Sequence, residues 1–329
     1  MTLSSHEPEP ALGAPLLAVK DLSVSFGAVR AVTTVSFSVK PGEVLGVVGE
    51  SGAGKSATAR GIIGLLPRHA ALGGSIRFRG EEVLGAPPAR LRRLRGREIG
   101  YVFQDALTAL DPVRTIGAQL VQTLRLHAPV SKAEALEKAA DLLAELKISD
   151  PQRVLTSYPH QLSGGMRQRA VIAAALIADP ELIIADEVTS ALDVTVQAKV
   201  LEILLGVCAK RGAGVVMITH DLGVVAQTCD RVAVLYGGVV AEEADVFSLF
   251  RHPAHPYTRA LLGSMPRIGD HSPFQPIPGS AIQIRGTLAA CPFAPRCAYA
   301  SDICRSSLPP QQTVGAALVR CHHPFEEPK

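Results

Sequence analysis

The sequence predicts an α/β fold built on a mainly parallel sheet, and three observations carry that reading. The glycine-rich stretch Gly49-Glu50-Ser51-Gly52-Ala53-Gly54-Lys55-Ser56 lies between the apolar run Val44 to Val48 and a helix-compatible segment. The run Leu182 to Ala185 is apolar throughout, as a strand covered on both faces must be, and it ends in Asp186-Glu187. The run Val215 to Thr219 likewise ends at His220. Polar groups at the carboxyl ends of buried strands are where open α/β sheets keep their ligands.

The first stretch has the spacing G-x-x-x-x-G-K-[ST]. Gly49, Gly52 and Gly54 can adopt backbone angles closed to other residues, so successive N–H groups turn inward around phosphate oxygens. The next helix adds its positive end to the same anion. Lys55 reaches the β- and γ-phosphates, and the Ser56 hydroxyl is placed to ligate Mg²⁺. An incidental glycine turn is the bland reading, and the flanking strand and helix argue against it. A phosphate loop alone leaves kinases, GTPases and many ATPases open. The chain contains no asparagine, so the Asn-Lys-x-Asp box that reads guanine is absent.

Along the chain, Val24 and Phe26 alternate as in a strand. Five arginines fall within Arg90 to Arg97. They read either as a nucleic-acid or lipid-headgroup patch or as a solvated helix, and the lack of interleaved aromatic residues favours the helix. Ile99 to Phe103 is strand-like and leads into Gln104. Residues 105–180 read as helical, with Ser131-Lys132-Ala133-Glu134 a capping box and Leu136, Ala139, Leu143 and Leu146 on one face. Ser163-Gly164-Gly165 opens the helix-forming run Met166 to Ala178, a second helix N-terminus suited to an anion. After the 182–185 strand, Asp186 can hold Mg²⁺ directly or through water, and Glu187 can accept a proton from an attacking water.

Net charge is only +3 and hydrophobic residues make up 47% of the 329-residue chain. No nucleic-acid partner is expected from that balance. No apolar run approaches the roughly 18 residues of a membrane span, and Met1 to Pro10 lacks the basic start of a signal peptide, so a cytoplasmic location is expected. Cys208 and Cys229 read as core packing. Cys291, Cys297, Cys304 and Cys321 cluster in the last 39 residues with spacings x5, x6 and x16. Clustered thiols in a reducing compartment point to a metal. The chemistry leaves Zn²⁺ and an iron–sulfur cluster open.

Taken together, the phosphate loop, Gln104, Leu162-Ser163-Gly164-Gly165, Asp186-Glu187, Ser190-Ala191-Leu192-Asp193 and His220 resemble the ATP-binding-cassette ATPases, in that family's order. The resemblance implies a P-loop cassette over residues 16–250 with an antiparallel β subdomain and a helical signature subdomain at about 105–180. It implies ATP and Mg²⁺ as ligands, bound by Gly49 to Ala57, Gln104, Asp186 and, from a facing cassette, Ser163 to Gly165. It also implies Glu187 as catalytic base, with Lys55, Gln104 and His220 acting on the γ-phosphate and attacking water. Phe26 stands where the family stacks an aromatic ring on adenine, although strand packing is its other reading. One departure is visible: Val188 occupies the position after Glu187 where the family usually has proline, leaving the backbone freer. Only one phosphate loop is present, so the facing cassette must come from another chain.

A narrower resemblance lies in His255-Pro256-Tyr257-Thr258-Arg259-Ala260-Leu261-Leu262 and Cys291-Pro292-Phe293-Ala294-Pro295-Arg296-Cys297. Both look like the C-terminal extension of the oligopeptide/dipeptide/nickel importer ATPases, here residues 251–329. It implies an importer subunit at the cytoplasmic face of the cell membrane. Its partners would be a second, different ATPase chain, two transmembrane permeases and an extracytoplasmic binding protein. It also implies a [4Fe-4S] cluster on the four cysteines, with Zn²⁺ the alternative. Peptides are the expected cargo, with nickel or a metal chelate open. A soluble cassette of translation or DNA repair is the other reading, disfavoured by the single cassette and the lack of long coiled coils. A non-hydrolysing regulatory cassette is disfavoured by the intact Glu187.

Overall fold

The computed structural model describes residues 14–188, 193–264 and 276–326. The stretch Met1 to Pro10 and most of Ser190-Ala191-Leu192-Asp193 lie outside them. Strands β1 (Leu17–Phe26) and β2 (Val29–Val39) pair antiparallel, with Leu17 opposite Val39 and Phe26 opposite Val29. Leu17, Val19, Leu22 and Val24 are buried between more exposed neighbours, the alternation of a half-covered strand. Strand β3 (Val44–Val48) feeds the phosphate loop and helix α1 (Lys55–Ile62). Strands β4 (Ala70–Phe78) and β5 (Glu81–Glu82) complete the antiparallel layer beside β1.

The arginine run departs from a simple solvated helix. Helix α2 (Pro88–Arg93) gives way to a kinked turn in which Arg95 and Gly96 leave helical angles. Four of its arginines are struts to neighbouring elements. Arg90 pairs with Glu81 at 2.9 Å and with Glu98 at 2.7 Å, and Arg93 with Glu98 at 3.0 Å. Arg95 donates to the carbonyls of Ile63 and Gly64 just past α1, and Arg97 to that of His127. Carbonyls at helix ends lack intrahelical donors, and arginine supplies them.

Strand β6 (Ile99–Val102) precedes the helical segment: α3 (Ala106–Ala109), α4 (Ile116–His127), α5 (Lys132–Glu145), α6 (Pro151–Thr156) and α7 (Gly164–Leu176). The capping box forms as expected, the Ser131 hydroxyl accepting from the Glu134 N–H and the Glu134 carboxylate from the Ser131 N–H. Such a cap is worth about 1 kcal/mol. Ala139, Leu143 and Leu146 are buried and Leu136 is half-buried, packing the segment onto one large core.

Strand β7 (Leu182–Asp186) is wholly buried, followed by α8 (Val194–Arg211), β8 (Gly214–Ile218), α9 (Leu222–Thr228), β9 (Arg231–Tyr236) and β10 (Val239–Asp245). The strand order is β5-β4-β1-β2-β10-β9-β3-β8-β7-β6. From β9 to β6 every pairing is parallel, and β10 runs antiparallel to β9. The phosphate loop, Asp186 and His220 therefore follow adjacent parallel strands at one edge of the sheet.

Beyond β10 come α10 (Val246–Arg251), α11 (Pro256–Gly263), β11 (Ile284–Arg285), α12 (Asp302–Ser306), β12 (Gln312–Val314) and β13 (Ala317–Val319). Strand β13 pairs with β10, Val319 opposite Glu242, and β11 pairs with β2. Phe293, Ala317, Val319 and Cys321 pack into the same core as the helical segment. A stretch poor in apolar residues thus shares a core it could not build alone. Among the described residues, no helix is long and apolar enough to cross a membrane.

Candidate functional site

Space and backbone angle both demand glycine in the loop. Gly49 has φ 148° and Gly54 φ 101°. A Cβ at Gly49 would lie 2.2 Å from the Leu235 carbonyl oxygen, and one at Gly54 2.5 Å from that of Ala31. Gly54 caps α1 without a side-chain acceptor, so the first amides of that helix keep their donors for an anion. Lys55 is buried at the loop's centre, its Nζ donating to the carbonyls of Gly49 at 2.7 Å and Glu50 at 3.1 Å. Burial lowers its pKa, opposed by the carboxylates of Glu187, Asp186 and Glu50. Those carbonyls hold the ammonium where an anion in the loop would draw on it. Ser51 and Gly52 are exposed at the rim and Ala53 is buried beneath.

Asp186, 1% exposed, receives donors on both oxygens. Ser56 Oγ donates to Oδ1 at 3.0 Å and the Tyr101 hydroxyl to Oδ2 at 2.7 Å. Of the three residues expected at Mg²⁺, Ser56 and Asp186 therefore meet directly, while the third, Gln104, is hydrogen-bonded to Glu187. Tyr101 went unassigned in the sequence; the signal was its place on the strand leading to Gln104. Burial, then the Asp186 carboxylate, raises its hydroxyl's pKa and keeps it a donor.

Glu187 sits just past β7 at φ 47°, a left-handed angle unusual for a side-chain-bearing residue. Its N–H donates to the Ile218 carbonyl at 3.0 Å, holding it there. Gln104 Nε2 donates to Glu187 Oε2 at 2.6 Å, and His220 Nδ1 lies 3.8 Å from Oε1. Glu187, Val188, Gln197, His220 and Asp221 line one cavity. Val188 is buried in its floor, packing where proline would have fixed the angle. Backbone strain held by surrounding structure is frequent at functional sites.

Phe26 is half-buried at the tip of β1 on the antiparallel layer's core, its ring 6.1 Å from that of His69. Ser163 caps α7, its hydroxyl accepting from the Met166 N–H at 3.4 Å, and with Gly164 it is exposed. A Cβ on Gly165 would come 3.2 Å from Val196 of α8. Among the described residues no hydrogen bond joins Ser163–Gly165 to the phosphate loop.

Cys291, Cys297, Cys304 and Cys321 line one small pocket with His255, Phe293, Tyr299, His322 and His323. All four are free thiols. The Tyr299 N–H donates to Cys297 Sγ at 3.4 Å and the His323 N–H to Cys321 Sγ at 3.3 Å. Burial raises the thiols of Cys291 and Cys297 and pushes Cys321 up to about 11. His255 is occupied elsewhere, its Nδ1 accepting from the Tyr257 N–H, and burial lowers it to about 4. Among the described residues, no three His, Cys, Asp or Glu side chains close on one ion. Cys208 and Cys229 are buried in the cassette, raised by burial to about 12 and 11.

Comparison with known proteins adds a second line. The family described as ABC transporter matches residues 32–190, and the family described as oligopeptide/dipeptide transporter, C-terminal region, matches residues 241–304. A probable peptide ABC transporter ATP-binding protein of Sinorhizobium fredii is 49% identical over 302 residues, covering 89% of this chain and 90% of that protein. The oligopeptide transport ATP-binding protein OppD of Escherichia coli is 43% identical over 317 residues, covering 95% and 94%. Among solved structures, the ATP-binding cassette MJ0796, in a dimeric post-hydrolysis state bound to ADP and Pi, aligns with a TM-score of 0.62. Its identity is 28%, over 70% of this chain and 98% of that one.

Proposed function

The chain belongs to the ABC transporter ATPases with an oligopeptide/dipeptide-type C-terminal region, and from that premise we propose that it hydrolyses ATP to energise peptide uptake at the cytoplasmic face of the cell membrane. The observation that carries the proposal is the convergence of Lys55, Ser56, Gln104, Asp186, Glu187 and His220 at the carboxyl edge of the parallel sheet. Permease subunits and an extracytoplasmic binding protein are its membrane-side partners.

Within Gly49 to Ala57, the loop and helix-start amides together with Lys55 Nζ cradle the phosphates of ATP, apart from the Glu50 and Ala53 N–H groups, which donate to the Tyr257 hydroxyl and the Glu50 carbonyl. Ser56 Oγ and Asp186 would hold Mg²⁺, which neutralises phosphoryl charge when bound; their 3.0 Å hydrogen bond supports a shared ligand. Glu187 accepts the proton of the attacking water, Gln104 orients it, and His220 contacts the γ-phosphate. Phe26, half-buried at the tip of β1, takes the adenine. Ser163–Gly165, exposed and capping α7, closes over ATP held by a second, different cassette chain.

The division of labour follows the chain: residues 16–250 form the cassette and 251–329 the extension. In the extension, Cys291, Cys297, Cys304 and Cys321 hold a structural [4Fe-4S] cluster. The shared pocket and the N–H donors to two sulfurs support four thiolates around one group.

The test is co-purification with permeases and a second cassette chain, followed by ATPase measurement with di- and oligopeptides presented by the binding protein. Stimulation by peptide is expected. Full activity of the chain alone, without permeases, would favour a soluble cassette instead.

A further inference from the structure

The extension reaches Glu50 of the phosphate loop through two side chains, Arg296 and Tyr257. Arg296 Nη1 donates to Glu50 Oε2 at 2.6 Å and Nη2 to Glu50 Oε1 at 3.1 Å, a two-point fork on a loop residue. The guanidinium side chain is 7% exposed. Its other donors are engaged with the carbonyls of Pro278 and Ile277 and the Tyr236 hydroxyl. Tyr236 packs on Tyr257 with ring centroids 4.6 Å apart, and the Tyr257 hydroxyl accepts the Glu50 N–H at 3.0 Å. Glu50 is therefore held at its carboxylate and its N–H by residues outside the loop, while its carbonyl accepts from Lys55.

An arginine–carboxylate fork fixes orientation as well as adding energy. The G-x-x-x-x-G-K-[ST] pattern leaves the Glu50 position open, so this carboxylate is not demanded by phosphate binding. What it does here is tie the loop to the segment between Cys291 and Cys297.

We propose that Arg296 is a positioning residue for nucleotide binding, holding the phosphate loop in its receptive form through Glu50, so that the extension sets the affinity for MgATP. The proposal rests on the reading of Gly49–Ser56 as the MgATP site. A loop that is receptive only part of the time binds with an affinity reduced by that fraction. Arg296 directly precedes Cys297, so order in the cysteine pocket is carried to the loop by one covalent step.

MgATP titration of the full chain by calorimetry, beside melting curves, tests this. Arg296→Gln is expected to raise Kd about tenfold, as a receptive fraction of about one tenth would. Arg296→Lys should recover part of the loss, since lysine supplies charge without the fork. Glu50→Gln should weaken binding similarly, and the double variant should bind no worse than the weaker single one, because both act through one contact. An Arg296→Gln Kd within twofold of wild type, or additive losses in the double variant, overturns the proposal. If Arg296→Gln does not fold, Glu50→Gln decides alone by the same twofold limit. A wild-type chain that fails to bind MgATP, or a Lys55→Ala variant that binds it as well, overturns instead the reading of the nucleotide site.

Discussion

Gln104 donates a 2.6 Å hydrogen bond to the Glu187 carboxylate, joining the residue that follows β6 closely to the one that follows β7. Gln104 also stands at the entrance to the helical segment, two residues before α3. Gln104→Ala should lower ATP hydrolysis by the assembled transporter about tenfold through loss of orientation, with a smaller change in ATP affinity. Equal ATPase activity in the variant and the wild type would remove Gln104 from the reaction.

Tyr101 contributes the second donor to Asp186, beside Ser56. Tyr101→Phe keeps the ring contact with Phe103 and deletes only the hydroxyl. The freed carboxylate should require several-fold more Mg²⁺ for half-maximal ATPase activity, a loss on the scale of about 1 kcal/mol for one hydrogen bond. A Mg²⁺ titration that superimposes on wild type would assign Tyr101 to packing alone.

The contiguous parts of the site were legible because their chemistry is local. Three glycines, a lysine and a serine make the loop by spacing, and β7 announces its end by charge after Leu182–Ala185. The contacts that support those parts were not, because they join distant segments. Glu50 and Arg296 are 246 positions apart, and nothing in either neighbourhood names the other. The helix at 88–93 was legible, but the partners of the arginines at 90–97 were hidden for the same reason: their acceptors at Ile63, Gly64 and His127 become neighbours only in the fold. The left-handed Glu187 was hidden because valine after it carries no signature of that angle.

The cysteine pocket makes its own prediction. Anaerobically purified protein should be brown, with about four irons and four sulfides per chain. A colourless protein with one zinc would replace the cluster by a zinc site. Cys297→Ser should lose metal and lower the melting temperature, since metal–thiolate bonds supply folding energy.

The central claim, that this chain is a hydrolysing cassette with Glu187 as its base, is tested most directly by Glu187→Gln in the assembled transporter. ATP affinity should stay near wild type while hydrolysis falls by about 10²-fold or more, and an ATP-loaded closed pair of cassettes should accumulate. Turnover within a few-fold of wild type would contradict the account.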